Sequence, residues 1–332
     1  MVVPVPGDYD RDGITDAAFF EVPTSPTSYN TYWVMRLSSN PGTIERAHYG
    51  TRGDIPLPQT RFTTSWPEVA VYRPSSGSWY WGRLITGTNT VSALGSKSGT
   101  GGYGKEPLYG FYDNDSHTDI VAFDPASGIF EIRYSSSSWN TEYWYRLRYD
   151  SAGRAIAFRG LETCAYGFCR QGIGVWTVSS SSAPVVQVLW DPFAARKTSI
   201  WEFSRDPGTK TSCFKGANDW VPLGGQLDYD SDGRSDLVFG RPDLFGGWGG
   251  LTIYAANSTD CSSATAHSLL APVEFKEGRP FLFDSMFSDA NPDVGFVDMT
   301  TMDWVLFRSE SSFQRWPSTG TVQLGTADAQ LL

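Results

Sequence analysis

Asp8, Asp10, Asp12 and Asp16 crowd one short stretch, "GDYDRDGITD", near the start of the chain. Like charges at such spacing repel by roughly a kcal/mol or more per close pair unless something neutralises them. A second stretch, "LDYDSDGRSD", repeats the pattern with Asp228, Asp230, Asp232 and Asp236. The chemistry that suits this pattern is the binding of a hard cation. Ca²⁺ takes about six to eight oxygen ligands at about 2.3–2.6 Å, and aspartates at alternating positions of a tight loop converge on one such ion. The spacing D-x-D-x-D-G-x-x-D offers Asp8, Asp10, Asp12 and Asp16 as carboxylate ligands, with Gly13 permitting the turn and the main-chain carbonyl of Ile14 adding an oxygen. In the second loop the set is Asp228, Asp230, Asp232 and Asp236, with Gly233 and the carbonyl of Arg234. A third, eroded copy, "FYDNDSHTD", keeps Asp113, Asp115 and Asp119, has Phe111 in place of the first aspartate, and could add the carbonyl of His117. Ca²⁺ is therefore expected at two full sites and a third, partial one, in a structural role that anchors strands.

An EF-hand begins the same way but requires a bidentate Glu at its twelfth position and flanking helices. Here those positions are Phe19 and Phe239, both in strand-like runs. The loop must therefore join two strands.

The elements that position the loops emerge when the two copies are laid over each other. "VPVPGDYDRDGITDAAFFEVP" and "VPLGGQLDYDSDGRSDLVFGRPD" share a short apolar strand, the acidic loop and a second strand, followed by a turn and an aromatic strand. "EPLYGFYDNDSHTDIVAFDPASGIFEIRYS" repeats the unit with its partial loop. "DIPLPQTRFTTSWPEVAVYRPSSGSWYWGR" and "YRLRYDSAGRAIAFRG" keep the strands and lose the acids. "RPFLFDSMFSDANPDVGFVDMTTMDWVLFRS" is a degenerate copy near the end. Units of this kind recurring at roughly 40 to 55 residues match the period of a propeller blade. Six units are well marked and a seventh, poorly marked, falls around "VVQVLWDPFAARKTSIWEFSRD". The expected fold is all-β, a single seven-bladed β-propeller over residues 1–332, with six blades as the alternative. Runs such as "FEIRY" and "WVLFR" alternate with strand periodicity, and long amphipathic helical stretches are missing. The C-terminal "TVQLGTADAQLL" is expected to supply or cover an outer strand of the closing blade.

Composition agrees. Aromatics make up 15% of the 332 residues, with 13 Trp, while charged residues are only 19%; with 34 Gly and 20 Pro this is the balance of many short strands and turns. A net charge of −10 with no Lys/Arg cluster excludes nucleic acid as a partner. No segment approaches the roughly 18 uninterrupted apolar residues of a membrane span, so no membrane insertion is expected. "MVVPVPGD" is too short and Pro-rich for a signal peptide. Four cysteines, with Cys164 and Cys169 close in "CAYGFC" and Cys213 and Cys261 left as the other pair, fit two disulfides in an oxidising compartment; four buried thiols are the alternative reading.

The chain resembles the FG-GAP or VCBS-type repeats, whose relatives include the calcium-binding blades of integrin α-subunit propellers. The resemblance rests on "GDYDRDGITD", "LDYDSDGRSD", the partial "FYDNDSHTD", "GDIPLP" and "VAVYRPSSGSWYW", and is less clear from about Cys164 to Trp220. It implies a propeller with Ca²⁺ between the first two strands of certain blades, in a secreted or cell-surface protein. It implies no single activity: such propellers adhere to proteins or glycans, form parts of toxins or fibres, or act as polysaccharide lyases.

Other signals are weaker. Arg52-Gly53-Asp54 spells an adhesion tripeptide, but sits in "YGTRGDIPLP", a linker phrase supplied by the repeat. "GTGGYGK" has P-loop spacing but is followed by Glu106, with no helix to receive a phosphate. His48, His117 and His267 fall in different proposed blades beside no nucleophile motif, so no catalytic residue is assigned. Asn257-Ser258-Thr259 is a sequon that matters only in a eukaryotic host. In "WYW" (79–81) and "EYWYR" (142–146) the rings must alternate across a sheet, about half in the core and the rest free to line loops or a groove. The expected function is a recognition or adhesion module for an extracellular glycan or protein surface. A polysaccharide lyase or hydrolase on the same disc and an assembly piece of a larger secreted machine, toxin or fibre are the alternatives.

Overall fold

The computed structural model describes residues 2–146 apart from Pro26 and Asn114, and beyond Arg146 the backbone of the strands named below, together with the side chain of Ile173. The first sheet is β1 (Val2–Pro4), β2 (Ala17–Glu21), β3 (Asn30–Arg36) and β4 (Ile44–Thr51), in that order. The second runs β5 (Ile55–Pro56), β6 (Val69–Arg73), β7 (Ser78–Ile85) and β8 (Thr90–Lys97). The third runs β9 (Glu106–Gly110), β10 (Asp119–Asp124), β11 (Ile129–Arg133) and β12 (Glu142–Arg146). In the fourth, β13 (Gly153–Arg159), β14 (Gln171–Ser179) and β15 (Ser182–Leu189) are completed by β17 (Thr209–Thr211), while β16 (Trp201–Glu202) runs parallel to β12 as a fifth strand of the third sheet. The fifth sheet is β18 (Val221–Gly224), β19 (Leu237–Pro242), β20 (Trp248–Ala255) and β21 (Thr265–Leu270). The sixth is β22 (Gly278–Phe283), β23 (Asp293–Asp298), β24 (Asp303–Arg308) and β25 (Gln314–Arg315), with β26 (Thr321–Gln323) also antiparallel to β24.

Among the described residues there is no α-helix, only a 3₁₀ turn at Ser135–Ser137. The described strands make six sheets. The stretch expected to form a seventh unit contributes β15 to the fourth sheet and β16 to the third. The tail does supply a strand: β26 lies outside β24. The chain divides into two compact units, one of Met1–Lys97, Asp243–Gly249 and Leu269–Leu332, the other of Ser98–Pro242 and Gly250–Ser268. The first two sheets belong to the former, the third and fourth to the latter.

Burial peaks at the second strand of each of the first three sheets, and the sequence explains why. "AAFFE" of β2, "VAVYR" of β6 and "DIVAFD" of β10 are buried along nearly their whole length, as continuous apolar runs must be when both faces are covered. β3, "NTYWVMR", alternates buried and half-buried residues, which is the period of a strand with one covered face. β8 is mostly exposed. In the first unit Val5, Phe20, Trp33, Met35 and Ala47 of the first sheet pack with Val69, Val71 and Leu84 of the second in one core cluster. "WYW" splits as alternation requires: Trp79 and Trp81 are buried, Trp81 stacking on Phe62 at 4.6 Å, while Tyr80 points to the opposite face against that cluster. The hairpin turns "RPSSG" and "DPASG" close on Gly77 and Gly128, both at positive φ.

Candidate metal centre

The first acidic loop joins β1 to β2. Val5 N–H bonds the Ala18 carbonyl and Asp16 N–H bonds the Gly7 carbonyl at 2.8 Å each, so the ladder continues to Gly7 and Asp16, and eight residues must turn between them. Tyr9 fastens the turn from below: its ring is buried against Trp33 at 5.8 Å, and its hydroxyl donates to the Val5 carbonyl at 2.7 Å. Two residues take left-handed backbone, Arg11 at φ 71° and Gly13 at φ 88°. Glycine fits the second without strain, as the sequence implied.

The carboxylates organise the turn through backbone N–H groups. Asp16, buried, accepts from Tyr9 N–H at 2.7 Å and Asp10 N–H at 3.3 Å with one oxygen, and from Ser38 N–H at 2.7 Å with the other. Asp8 accepts from the N–H groups of Arg11, Asp12 and Gly13 at 2.7, 3.1 and 3.0 Å. Asp10 Oδ1 takes Asp12 N–H at 3.2 Å and its Oδ2 the Ser39 hydroxyl at 2.5 Å, while Asp12 takes Ile14 N–H at 2.8 Å and the Ser38 hydroxyl at 2.7 Å. One ligand atom each from Asp8, Asp10 and Asp16 then lies within 4.8 Å of the others. Oxygens that share one ion at about 2.4 Å sit at most about 5 Å apart, so the three are close enough to share one metal ion, and an all-carboxylate donor set suits a hard cation. Asp12 stands outside this triplet.

The electrostatics point the same way. Burial pushes the Asp16 carboxyl up to about 7, with the Asp10 charge adding to the shift and the N–H groups of Ser38 and Tyr9 opposing it. Burial also raises Asp8, against the N–H groups of Gly13 and Arg11. The protein alone therefore leaves this site wanting positive charge, which a proton or a metal ion supplies.

The third sheet carries the partial loop in the same frame. Asp119 accepts from Tyr112 and Asp113 N–H at 2.7 and 3.0 Å and from Ser135 N–H at 2.6 Å, repeating the pattern of Asp16 bond for bond. Asp113 reaches Ser136 N–H at 3.1 Å and Asp115 reaches the Ser135 hydroxyl at 2.7 Å. The His117 carbonyl lies 3.5 Å from that hydroxyl. Burial, then the Asp113 charge, lifts Asp119 well above the carboxylate range. Asp113, Asp115 and Asp119 do not converge as Asp8, Asp10 and Asp16 do, the first loop's triplet being the only such group among the described residues.

The second loop, with Asp228, Asp230, Asp232, Arg234 and Asp236, lies outside the described residues, as do all four cysteines and Asn257. The eroded loop between β5 and β6 corrects one reading. It does not lose every acid, because Glu68, fully buried, accepts from Phe62 N–H at 2.7 Å and from Thr63 and Thr64 N–H at 3.1 Å each. This loop is one residue shorter between its bridge partners, Thr60 and Glu68 against Gly7 and Asp16, and the longer side chain of Glu makes up the reach. The serines that cap the carboxylates were also missed. Their signal is in the sequence: "RLSS" (36–39) and "RYSS" (133–136) stand at the end of the third strand in the two described acidic units, while ladder register puts "GRLI" (82–85) there in the unit without the cluster.

The weaker signals resolve as linkers. Asp54 is buried in a two-pronged pair with Arg73 at 2.8 Å on each prong, and Arg52 donates to the carbonyls of Pro23 and Ser25, so the tripeptide ties the loop after β2 in the first sheet to β6 in the second. In "GTGGYGK" the Gly101 N–H donates to Glu131 at 3.0 Å and Lys105 pairs with the same carboxylate, which occupies the place an anion would take. His48 is exposed beside Tyr32, and His117 lies 3.9 Å from Asp115.

No protein-family model matches the chain, and no curated protein does. Among solved structures the chain is similar to a β-fructofuranosidase from Schwanniomyces occidentalis complexed with fructosyl-erythritol, at 9% identity, covering 96% of this chain and 78% of that one, with a TM-score of 0.42. Similarity of that degree does not carry an activity from one chain to the other.

Proposed function

We propose that the protein is a calcium-stabilised β-propeller of six blades that works outside the cell as a recognition module for a glycan or a protein surface. The observation that carries the metal reading is the Asp8, Asp10 and Asp16 triplet, three carboxylates on one turn with a ligand atom of each within 4.8 Å of the others. The propeller reading is supported by six sheets of successive strands with a buried second strand in each of the first three. The resemblance to FG-GAP/VCBS-type repeats supports the extracellular setting. Asp8, Asp10 and Asp16, with Asp12 and the Ile14 carbonyl beside them, hold the ion, which fixes the β1–β2 turn against the β3–β4 turn through Ser38 and Ser39. The loop at 228–236 holds a second ion by the same sequence pattern. On this reading the module binds its ligand without consuming it.

Calorimetric titration of chelator-treated protein with Ca²⁺ tests the metal reading: loss of one site's heat in Asp10→Ala is expected, and no heat in the wild type overturns it. Incubation with acidic and neutral polysaccharides tests the rest. Unsaturated products or new reducing ends overturn binding without turnover in favour of a lyase or hydrolase.

A further inference from the structure

A cleft of about 300 Å³ lies beside the acidic loop, between it and the turn that joins β5 to β6. Asp8 and Thr15 line it on one side, and Gln59, Arg61, Ser65 and Trp66 on the other. Trp66 is 40% exposed, although large apolar side chains in these sheets are otherwise mostly buried. Its turn is not loose. Thr64 Oγ1 accepts from Trp66 N–H at 3.3 Å and donates to the Trp66 carbonyl at 2.9 Å, and Glu68 holds the preceding N–H groups. The indole is therefore presented on a fixed support, which lowers the ordering cost of any ligand that meets it. Gln59 sits at φ 59°, and its side-chain nitrogen is buried with no hydrogen-bond partner. A buried amide donor left unpaired costs about 1–3 kcal/mol, and Gln59 is one of the residues that line the cleft. One guanidinium and one carboxylate line the same cleft, and their charges balance.

We propose that this cleft is a subsite for one sugar ring of a neutral oligosaccharide, an inference that rests on the recognition reading and gives it a location. The C–H face of a pyranose is apolar and meets the negative face of the Trp66 indole, while its hydroxyl oxygens accept from Gln59 and Arg61 and a hydroxyl donates to Ser65 or Asp8. In the larger cleft of about 480 Å³ by Tyr49, Arg73 and Tyr80 the guanidinium is already engaged: Arg73 is bound to Asp54 and lies over the Tyr80 ring at 4.6 Å.

The test is calorimetric titration, in Ca²⁺ buffer, of the wild type, Trp66→Ala and Gln59→Asn with hexasaccharides of glucose, xylose, N-acetylglucosamine and galacturonic acid. Asn tolerates the left-handed backbone and shortens the reach, so the second variant keeps the fold should the first not. Binding of a neutral hexasaccharide by the wild type, weakened about tenfold or more in Trp66→Ala and measurably in Gln59→Asn, is the expected result. The Ca²⁺-induced rise in Tm should be unchanged in both. Undiminished binding in both variants overturns the subsite and leaves the recognition reading standing. Tightest binding of the galacturonan overturns the neutral class. No binding of any of the four by the wild type overturns the subsite and glycan recognition together.

Discussion

The loop at 7–16 and the loop at 60–68 occupy the same place in neighbouring sheets, yet one carries four carboxylates and the other one. Both close on a buried acid that gathers the N–H groups of the descending turn, Asp16 in the first and Glu68 in the second. A single carboxylate is therefore enough to make the turn. Asp8, Asp10 and Asp12 in the first loop, with the serines beyond β3 that answer Asp10 and Asp12, are charge that closing the turn does not require. The third loop is the intermediate case, with the Asp119 staple and the serine caps retained and the first aspartate replaced by Phe111.

The largest effect expected from breaking this comparison is at the staples. Glu68→Ala leaves three backbone N–H groups and the Thr63 hydroxyl without their acceptor, for a loss of about 2–4 kcal/mol in urea unfolding, the same with Ca²⁺ as with chelator. Asp16→Ala should cost as much and also remove the first loop's share of the Ca²⁺ response. A loss in Glu68→Ala that depends on Ca²⁺ would show that the two loops are not separable in this way.

Next in size is removal of the ion. A ligand bound only by the folded state stabilises it by about 2.7 kcal/mol at a hundredfold excess over Kd, so chelation should lower Tm, and Asp10→Ala should mimic chelation at one site. A Tm indifferent to chelator in metal-free protein contradicts the centre.

The pH dependence of the chelated protein sharpens the contrast further. The Asp16 carboxyl stands at about 7 when folded and near 3.9 when unfolded, so the folded state binds the extra proton between those values. Its contribution is fully present below pH of about 3.9 and is lost as pH rises through about 7. Tm measured in chelator should therefore fall over that window, and Asp16→Asn should flatten the fall. Saturating Ca²⁺ should offset it at the upper end, where the carboxylate is charged. A fall of equal size with and without Ca²⁺ would remove the link between the buried charge and the ion.

The smallest effect is at the caps. Ser38→Ala and Ser39→Ala each remove one hydroxyl bond to a carboxylate, Asp12 and Asp10, for about 0.5–1.5 kcal/mol each. In the second sheet the same register positions hold Leu84 and Ile85, so Thr86→Ala, just beyond them, has no such bond to a carboxylate to lose and should be near neutral.

Much of this was legible in the residues because it is local. Alternation and turn signals mark the strands, continuous apolar runs such as "AAFFE" mark those covered on both faces, and the D-x-D-x-D-G spacing with its glycine marks a turn that gathers carboxylates. The linker character of Arg52-Gly53-Asp54 was legible for the same reason, since the phrase belongs to the repeat. What tertiary structure alone decided depends on distance through space. Ser38 and Ser39 reach Asp12 and Asp10 from more than twenty positions away, because pairing of β2 with β3 brings one turn over the other. Glu68 reads as a lone acid in sequence and becomes the equivalent of Asp16 only when ladder register aligns Thr60 with Gly7. The stretch around 185–206 has the composition of a further unit, but its strands went to two existing sheets, because pairing depends on which edges are free and composition does not record that. The sequence specified the turns and the charge they concentrate. Strand pairing decided which residues meet that charge.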